Sequence, residues 1–128
     1  MTAADKVARD ALFSKLCDPA YAPEAASELK LNRGWLRSTP PPAFVVALQS
    51  VDYDADRPVF DLARHWEREP LCQALLTTMR GETDARLREH CAWLLKHLGA
   101  PSQWRAIADL ARSDGESIQG RRWLLEAL

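Results

Sequence analysis

The sequence has few of the residues from which reactive or cross-linked sites are built. Its three cysteines, Cys17, Cys72 and Cys91, are widely spaced and include no Cys-x-x-Cys pair, which is neither a disulfide framework nor a zinc site. Its five glycines form no phosphate-binding loop, and neither a nucleophile elbow nor a catalytic pair of carboxylates is recognisable. The sequence therefore predicts a protein that is not an enzyme and that needs no cofactor and no metal.

The histidines are also too few and too scattered to suggest a metal site. His90 and His97 are seven residues apart in the sequence, about two turns of a helix, which is too far for joint ligation without a third group. We predict that these two and His65 are solvated helix residues. Cys72 and Cys91 lie among apolar neighbours and are predicted to be packing residues.

Net charge and long apolar runs are lacking as well. The formal net charge is −1, which gives no overall attraction to nucleic acid or to anionic lipid. No stretch approaches the roughly 18 apolar residues of a membrane span, and the first ten residues do not resemble a signal peptide. These features predict a cytoplasmic protein with no membrane partner. The 128 residues, 47% of them apolar, predict a single domain covering 1–128.

What the sequence does contain is apolar residues at helical spacing, which predict an all-α protein. Segment 1–41 is expected to form two N-terminal capping helices, over about 2–16 and 23–36, the second interrupted at 32–34. The prolines at positions 40 to 42 then break the chain, because proline lacks the amide donor that a helix needs.

From Pro42 onward the chain is periodic. Pro42, Pro70 and Pro101 open three successive units, each consisting of a helix, an acidic turn and a second helix. The units cover 42–69, 70–100 and 101–128, and the last two share a Trp-Leu-Leu sequence at a spacing of 30 residues. A period near 30 built from helix pairs is typical of an α-solenoid, in which each hairpin buries its apolar face on its neighbours.

One segment of the second unit resembles a known family. From Asp84 to Gly99 the chain has an acidic turn, the pair Leu87-Arg88, the small pair Cys91-Ala92, and leucines before a glycine. This pattern is similar to the second helix of a HEAT-like repeat of the phycocyanobilin-lyase type. The resemblance implies a short right-handed α-solenoid of about three HEAT-like hairpins preceded by two helices, with the second helices lining the concave face.

The turns between paired helices are rich in acidic residues. In a stack of hairpins equivalent turns share one edge, so their carboxylates would form a ridge that attracts a basic protein. The alternative is that the acids serve the helix N-termini, where Asp56, Asp84 and Ser117 are candidate caps. Capping accounts for one acid in each turn but not for the three acids of the first turn or the two of each later turn. The predicted partner-binding acids are Asp52, Asp54, Asp56, Glu82, Asp84, Asp114 and Glu116.

Tryptophan and arginine recur on the second helices of the units. Both are frequent anchors of protein interfaces, and on a concave face they would form a second binding surface. The alternative is that the large aromatic side chains fill the space between hairpins. The predicted partner-binding residues of this set are Trp66, Arg88, Trp93, Arg121, Arg122 and Trp123.

These features favour a non-enzymatic protein-interaction module. Its partner is expected to be a basic protein, as for an immunity or antitoxin-type protein or an adaptor, bound at the acidic edge or on the concave face. The alternative is a nucleic-acid-binding or DNA-repair HEAT-like protein, which the near-neutral charge and the acidic ridge disfavour. A third possibility, implied by the resemblance alone, is an accessory of a lyase-like enzyme.

Overall fold

The structure is a computed structural model that describes residues 2–49, 57–113 and 115–128, and within these the side chain of Arg33 is not described. All regular structure in the described ranges is helical, so the prediction of an all-α protein is confirmed. The chain divides into two compact units, unit 1 from Met1 to Glu67 and unit 2 from Arg68 to Leu128.

Four α-helices and one 3₁₀ helix make up the described part of unit 1. Helix α1 packs on α2 and α3, and α4 packs on α2 and α3. Two hairpins therefore lie side by side, with their first helices in contact and their second helices in contact. The elements are α1 (Ala3–Lys15), α2 (Ala22–Leu31), the 3₁₀ helix Arg33–Arg37, α3 (Pro42–Gln49) and α4 (Pro58–His65).

The core of unit 1 contains a cluster of three aromatic side chains. The ring of Phe44 stacks on Trp66 with a centroid distance of 4.7 Å, and Phe13 meets both rings at 5.7 and 5.8 Å. The indole N–H of Trp66 donates a hydrogen bond of 2.8 Å to the carbonyl oxygen of Ser38. Phe13 and Phe44 are fully buried and Trp66 is 2% exposed, so this cluster joins α1, α3 and the end of α4.

An ion pair links the second helices of unit 1. The ammonium group of Lys30 on α2 donates to the carboxylate of Asp61 on α4. This hydrogen bond is the main reason that the pKa of Asp61 is lowered from its usual value. Both side chains remain partly exposed, so solvent screens the interaction and its contribution to stability is small.

Asp61 should therefore make a modest, pH-dependent contribution to stability. Because its folded-state pKa is lowered, the contribution is complete above the unfolded value of about 4 and is lost as pH falls through the folded value. We expect Asp61→Asn to reduce the free energy of unfolding by about 0.5 kcal/mol at pH 7. In urea denaturation at pH 7, 5 and 3 this difference should shrink at the lowest pH. The control is Glu28→Gln, an exposed acid of α2, and a constant difference at all three pH values would contradict the assignment.

Unit 2 also consists of two helical hairpins. Helix α6 packs on both α5 and α8, α7 packs on α8, and α5 contacts the short 3₁₀ helix that precedes α7. The pairing of second helices is thus the same as in unit 1. The elements are α5 (Arg68–Gly81), α6 (Ala85–Leu98), the 3₁₀ helix Pro101–Gln103, α7 (Trp104–Ala111) and α8 (Ile118–Glu126).

Side-chain caps begin both second helices of unit 2. The carboxylate of Asp84 accepts hydrogen bonds from the amides of Arg86 and Leu87 at 2.8 and 3.3 Å. The hydroxyl of Ser117 accepts one from the amide of Gly120 at 2.9 Å. The predicted capping roles of Asp84 and Ser117 are confirmed, and the third predicted cap, Asp56, lies outside the described residues.

Burial corrects one prediction about the histidines. His65 and His97 are exposed as expected, but His90 is only 5% exposed. The prediction that it is solvated was wrong because α6 packs against helices on more than one side, so the run from His90 to Leu95 is buried throughout. Cys72 and Cys91 are fully buried, as expected of packing residues, and burial raises the pKa of the Cys72 thiol.

Within the described ranges, no helix is both long enough and apolar enough to cross a membrane.

Candidate interaction surfaces

Only part of the predicted acidic edge falls within the described residues. Glu82 and Asp84 lie in the turn between α5 and α6, and Glu116 lies in the turn between α7 and α8. Both turns belong to unit 2. The other four predicted acids lie outside the described residues: Asp52, Asp54, Asp56 and Asp114.

Glu116 is directed into unit 2. Its side chain is fully buried, and that of Arg88 on α6 is only 13% exposed. The Nε of Arg88 donates to Oε1 of Glu116 at 3.0 Å, and its Nη2 donates to the same oxygen. The Nη1 of Arg88 donates to the carbonyl oxygens of Met79 and Glu82 at 2.6 and 2.9 Å. Two residues predicted on separate binding surfaces are thus brought together, and their charges compensate each other inside the unit.

The register of the two hairpins explains this pairing. Glu89, next to Arg88, accepts a 3.1 Å hydrogen bond from the hydroxyl of Ser117, next to Glu116. In each pair the two residues are 28 positions apart in the sequence. The two contacts therefore hold the start of α8 against the start of α6. The backbones of α8 and α6 lie close together here, since a Cβ atom built on Gly120 would be in van der Waals contact with the Cα of Glu89, at 3.7 Å.

The acids of the α5–α6 turn serve their own backbone. One carboxylate oxygen of Glu82 accepts hydrogen bonds from the amides of Thr83 and Asp84 at 3.1 and 3.0 Å, while Asp84 caps α6. Both carboxylates of this turn therefore accept hydrogen bonds from nearby backbone amides. A cleft of about 520 Å³ between the two turns has Arg80 as well as Glu82 in its lining, so its charged lining is mixed and not purely acidic.

The predicted tryptophan stripe is largely used for packing. Trp66 belongs to the aromatic cluster of unit 1, and Trp93 on α6 is 7% exposed, with its ring 4.8 Å from that of His97. Trp123 on α8 is partly exposed. The alternative interpretation, that these aromatic side chains fill space in the interior, therefore describes Trp66 and Trp93.

The largest exposed apolar side chains of α8 lie on one side of the helix. Gly120 and Leu124 are buried, and Gly120 faces the backbone of α6 at Glu89. At about 100° per residue, positions 118, 122 and 125 lie on the other side of the helix, as do 119 and 126. Ile118 is 89% exposed, Leu125 is 56% exposed and the side chain of Arg122 is 70% exposed. We call these three residues the α8 outer face.

The α8 outer face corresponds to a face of α6 that is largely shielded from solvent. At the 30-residue spacing of the two Trp-Leu-Leu sequences, Ile118 corresponds to Arg88, whose side chain is 13% exposed, and Leu125 to Leu95, which is fully buried. Arg122 corresponds to Ala92, which is fully buried. The corresponding positions of α6 are largely shielded from solvent, whereas the α8 outer face is open to solvent. Sequence reasoning singled out Arg122 and missed the two apolar residues beside it, although their spacing of seven residues on one helix is the signal.

Positive charge exceeds negative charge around this face. Glu126 is shared between Lys96 on α6, at 2.9 Å, and Arg122, at 3.4 Å. Its pKa is lowered, mainly by the hydrogen bond with Lys96 and further by Arg122. The neighbouring Arg121 is directed to the α7–α8 turn, where it donates to the carbonyl oxygen of Ser113 at 3.0 Å. Of the described charged groups, the cations Lys96 and Arg122 and the carboxylate of Glu126 therefore border the apolar residues.

The chain matches no protein-family model, and comparison with curated proteins and with solved structures gave no significant match.

Proposed function

We propose that this protein is a non-enzymatic protein-interaction module, of the adaptor or immunity type, that binds its partner through the α8 outer face. The observation that carries the proposal is the exposure of Ile118 and Leu125 on one side of a helix whose opposite side is buried. Exposed apolar side chains grouped in this way, with charged residues around them, are a frequent feature of protein interfaces.

The same proposal includes a short right-handed α-solenoid as the scaffold. It is supported by the pairing of second helices within each unit, α2 with α4 and α6 with α8. It is also supported by the resemblance of the segment from Asp84 to Gly99 to a HEAT-like repeat. A scaffold of this kind presents equivalent positions of successive helices on a common face.

A basic partner at the acidic turns is a second version of the same function. Asp84 is exposed and Glu82 partly exposed in the α5–α6 turn, and both carry charge that a cationic protein could meet. The internal compensation of Glu116 by Arg88 weakens this surface within unit 2. We therefore propose that the α8 outer face provides most of the binding free energy. The acidic turns contribute at most long-range attraction during the encounter with the partner.

Site-specific photo-crosslinking in the producing cell tests the choice between the two surfaces. A photoreactive phenylalanine analogue is placed at Leu125 or, as a control, at Val46, which has a closely similar exposure of 58% on α3 of unit 1. We expect a discrete protein adduct at position 125 and none at position 46. The adduct should disappear when Ile118→Asp is added and should persist with Glu82→Lys.

Two results would count against this assignment. Identical adducts at positions 125 and 46 would indicate nonspecific capture. An adduct that is lost with Glu82→Lys but kept with Ile118→Asp would transfer the binding site to the acidic turns.

A further inference from the structure

We infer that the ligand of the α8 outer face is an amphipathic helix of another protein whose apolar residues are flanked by carboxylates. This inference rests on the proposed function and specifies its partner. It reverses the expected charge of that partner, since the sequence alone favoured a basic protein.

The spacing of the exposed residues indicates a helical ligand. Ile118, Arg122 and Leu125 follow one another at intervals of four and three residues, so they form a single row about 10 Å long on α8. Such a row packs against the ridges of a second helix, with apolar anchors at matching intervals. The corresponding residues of α6, Ala92 and Leu95, are fully buried.

The charges around the row favour carboxylates on the ligand. Arg122 and Lys96 border it, and both form their described ion pairs with a single carboxylate, that of Glu126. The side chain of Arg122 is 70% exposed, which leaves it accessible to a second acceptor. A ligand with acidic residues beside its leucines would place charge opposite these cations, while a basic helix would be repelled.

A second copy of this chain is a less suitable occupant. In a two-fold antiparallel pair of α8 helices, Ile118 of one copy could meet Leu125 of the other. The same pairing would bring Arg122 of both copies together near the axis, and two guanidinium groups at close range repel one another. A further hairpin stacked in register is also disfavoured, because Arg122 stands where α6 has the buried Ala92.

The inference can be tested with designed peptides and the full chain. Three fluorescein-labelled helical peptides share the same leucine row, spaced to match Ile118 and Leu125, and differ only in their flanking residues, which are glutamate, lysine or glutamine. Binding is measured by fluorescence anisotropy at low and at high salt. We expect the glutamate peptide to bind at least about tenfold more tightly than the lysine peptide, and to lose affinity as salt increases.

Variants of the protein make this test specific to the α8 outer face. Arg122→Glu should weaken binding of the glutamate peptide by about tenfold and strengthen that of the lysine peptide. Ile118→Asp should weaken binding of all three peptides. Val46→Asp, an exposed position of unit 1, should change none of them, and circular dichroism verifies that each variant is folded.

Three outcomes would overturn the inference. Equal affinity for the glutamate and lysine peptides would remove the acidic preference, and an unchanged affinity in Arg122→Glu would remove the role of that residue. Sedimentation showing a dimer that Leu125→Asp dissociates would assign the face to a second copy. If the crosslink at position 125 persists while the peptide preference is absent, only this inference fails; if both are absent, the proposed function fails with it.

Discussion

Replacement of Arg88 by alanine is expected to lower the free energy of unfolding by about 3–5 kcal/mol, because it leaves a buried charge without its partner. The carboxylate of Glu116 has no exposed surface and would keep its desolvation cost while losing the ion pair. The carbonyl oxygens of Met79 and Glu82 would lose their guanidinium donor in addition. Urea denaturation followed by far-UV circular dichroism measures the loss.

Two companion variants separate the ion pair from the general effect of losing an arginine. Arg86→Ala removes an exposed arginine from the first turn of the same helix and should change stability by no more than about 0.5 kcal/mol. The double variant Arg88→Met, Glu116→Leu removes both charges and should be more stable than Arg88→Ala alone. A loss in Arg88→Ala no larger than that in Arg86→Ala would show that the buried pair does not stabilise the fold.

The helix boundaries were largely predictable because the signals that set them are local. Helix α6 begins directly after Asp84, a predicted cap, and ends directly before Gly99. The predicted interruption at 32–34 is also observed, since α2 ends at Leu31 and a 3₁₀ helix follows. Pro101 predicts the start of an element, which proves to be a short 3₁₀ helix before α7.

The direction of the turn side chains could not be predicted, because it depends on contacts between hairpins. A period near 30 places Arg88 and Glu116 at related positions along the chain, but it does not say whether the carboxylate of a turn residue points outward or inward. The structure shows that Glu116 points inward to a guanidinium 28 residues away. The signal that could have revealed this pair is the separation of Arg88 and Glu116 by 28 residues, which is close to the repeat period.

The candidate site depends on the same kind of information. Helical spacing identifies which residues of α8 share a side, yet it leaves open which side is buried. The contact between α8 and α6 decides this, because Gly120 faces the backbone of α6 at Glu89. Ile118 and Leu125 are consequently exposed, although their residue types alone would place them in the interior.

Trp66 is the residue of unit 1 whose truncation should have the largest effect. Trp66→Ala is expected to lower the free energy of unfolding by about 3–5 kcal/mol, since a buried tryptophan leaves a large cavity. The rings of Phe13 and Phe44 would lose their common neighbour, and the carbonyl oxygen of Ser38 would lose its donor.

Trp66→Phe tests how much of the lost stability an aromatic ring at this position restores when the hydrogen bond is still missing. It keeps an aromatic ring beside Phe44 but cannot donate to Ser38, so we expect a smaller loss of about 1–2 kcal/mol. The matched control is Trp104→Ala on α7, because that indole is 53% exposed and its removal should cost no more than about 0.5 kcal/mol. If Trp66→Ala and Trp104→Ala had equal effects in chemical denaturation, Trp66 would not be the packing centre of unit 1, and its indole would again be a candidate for a partner contact.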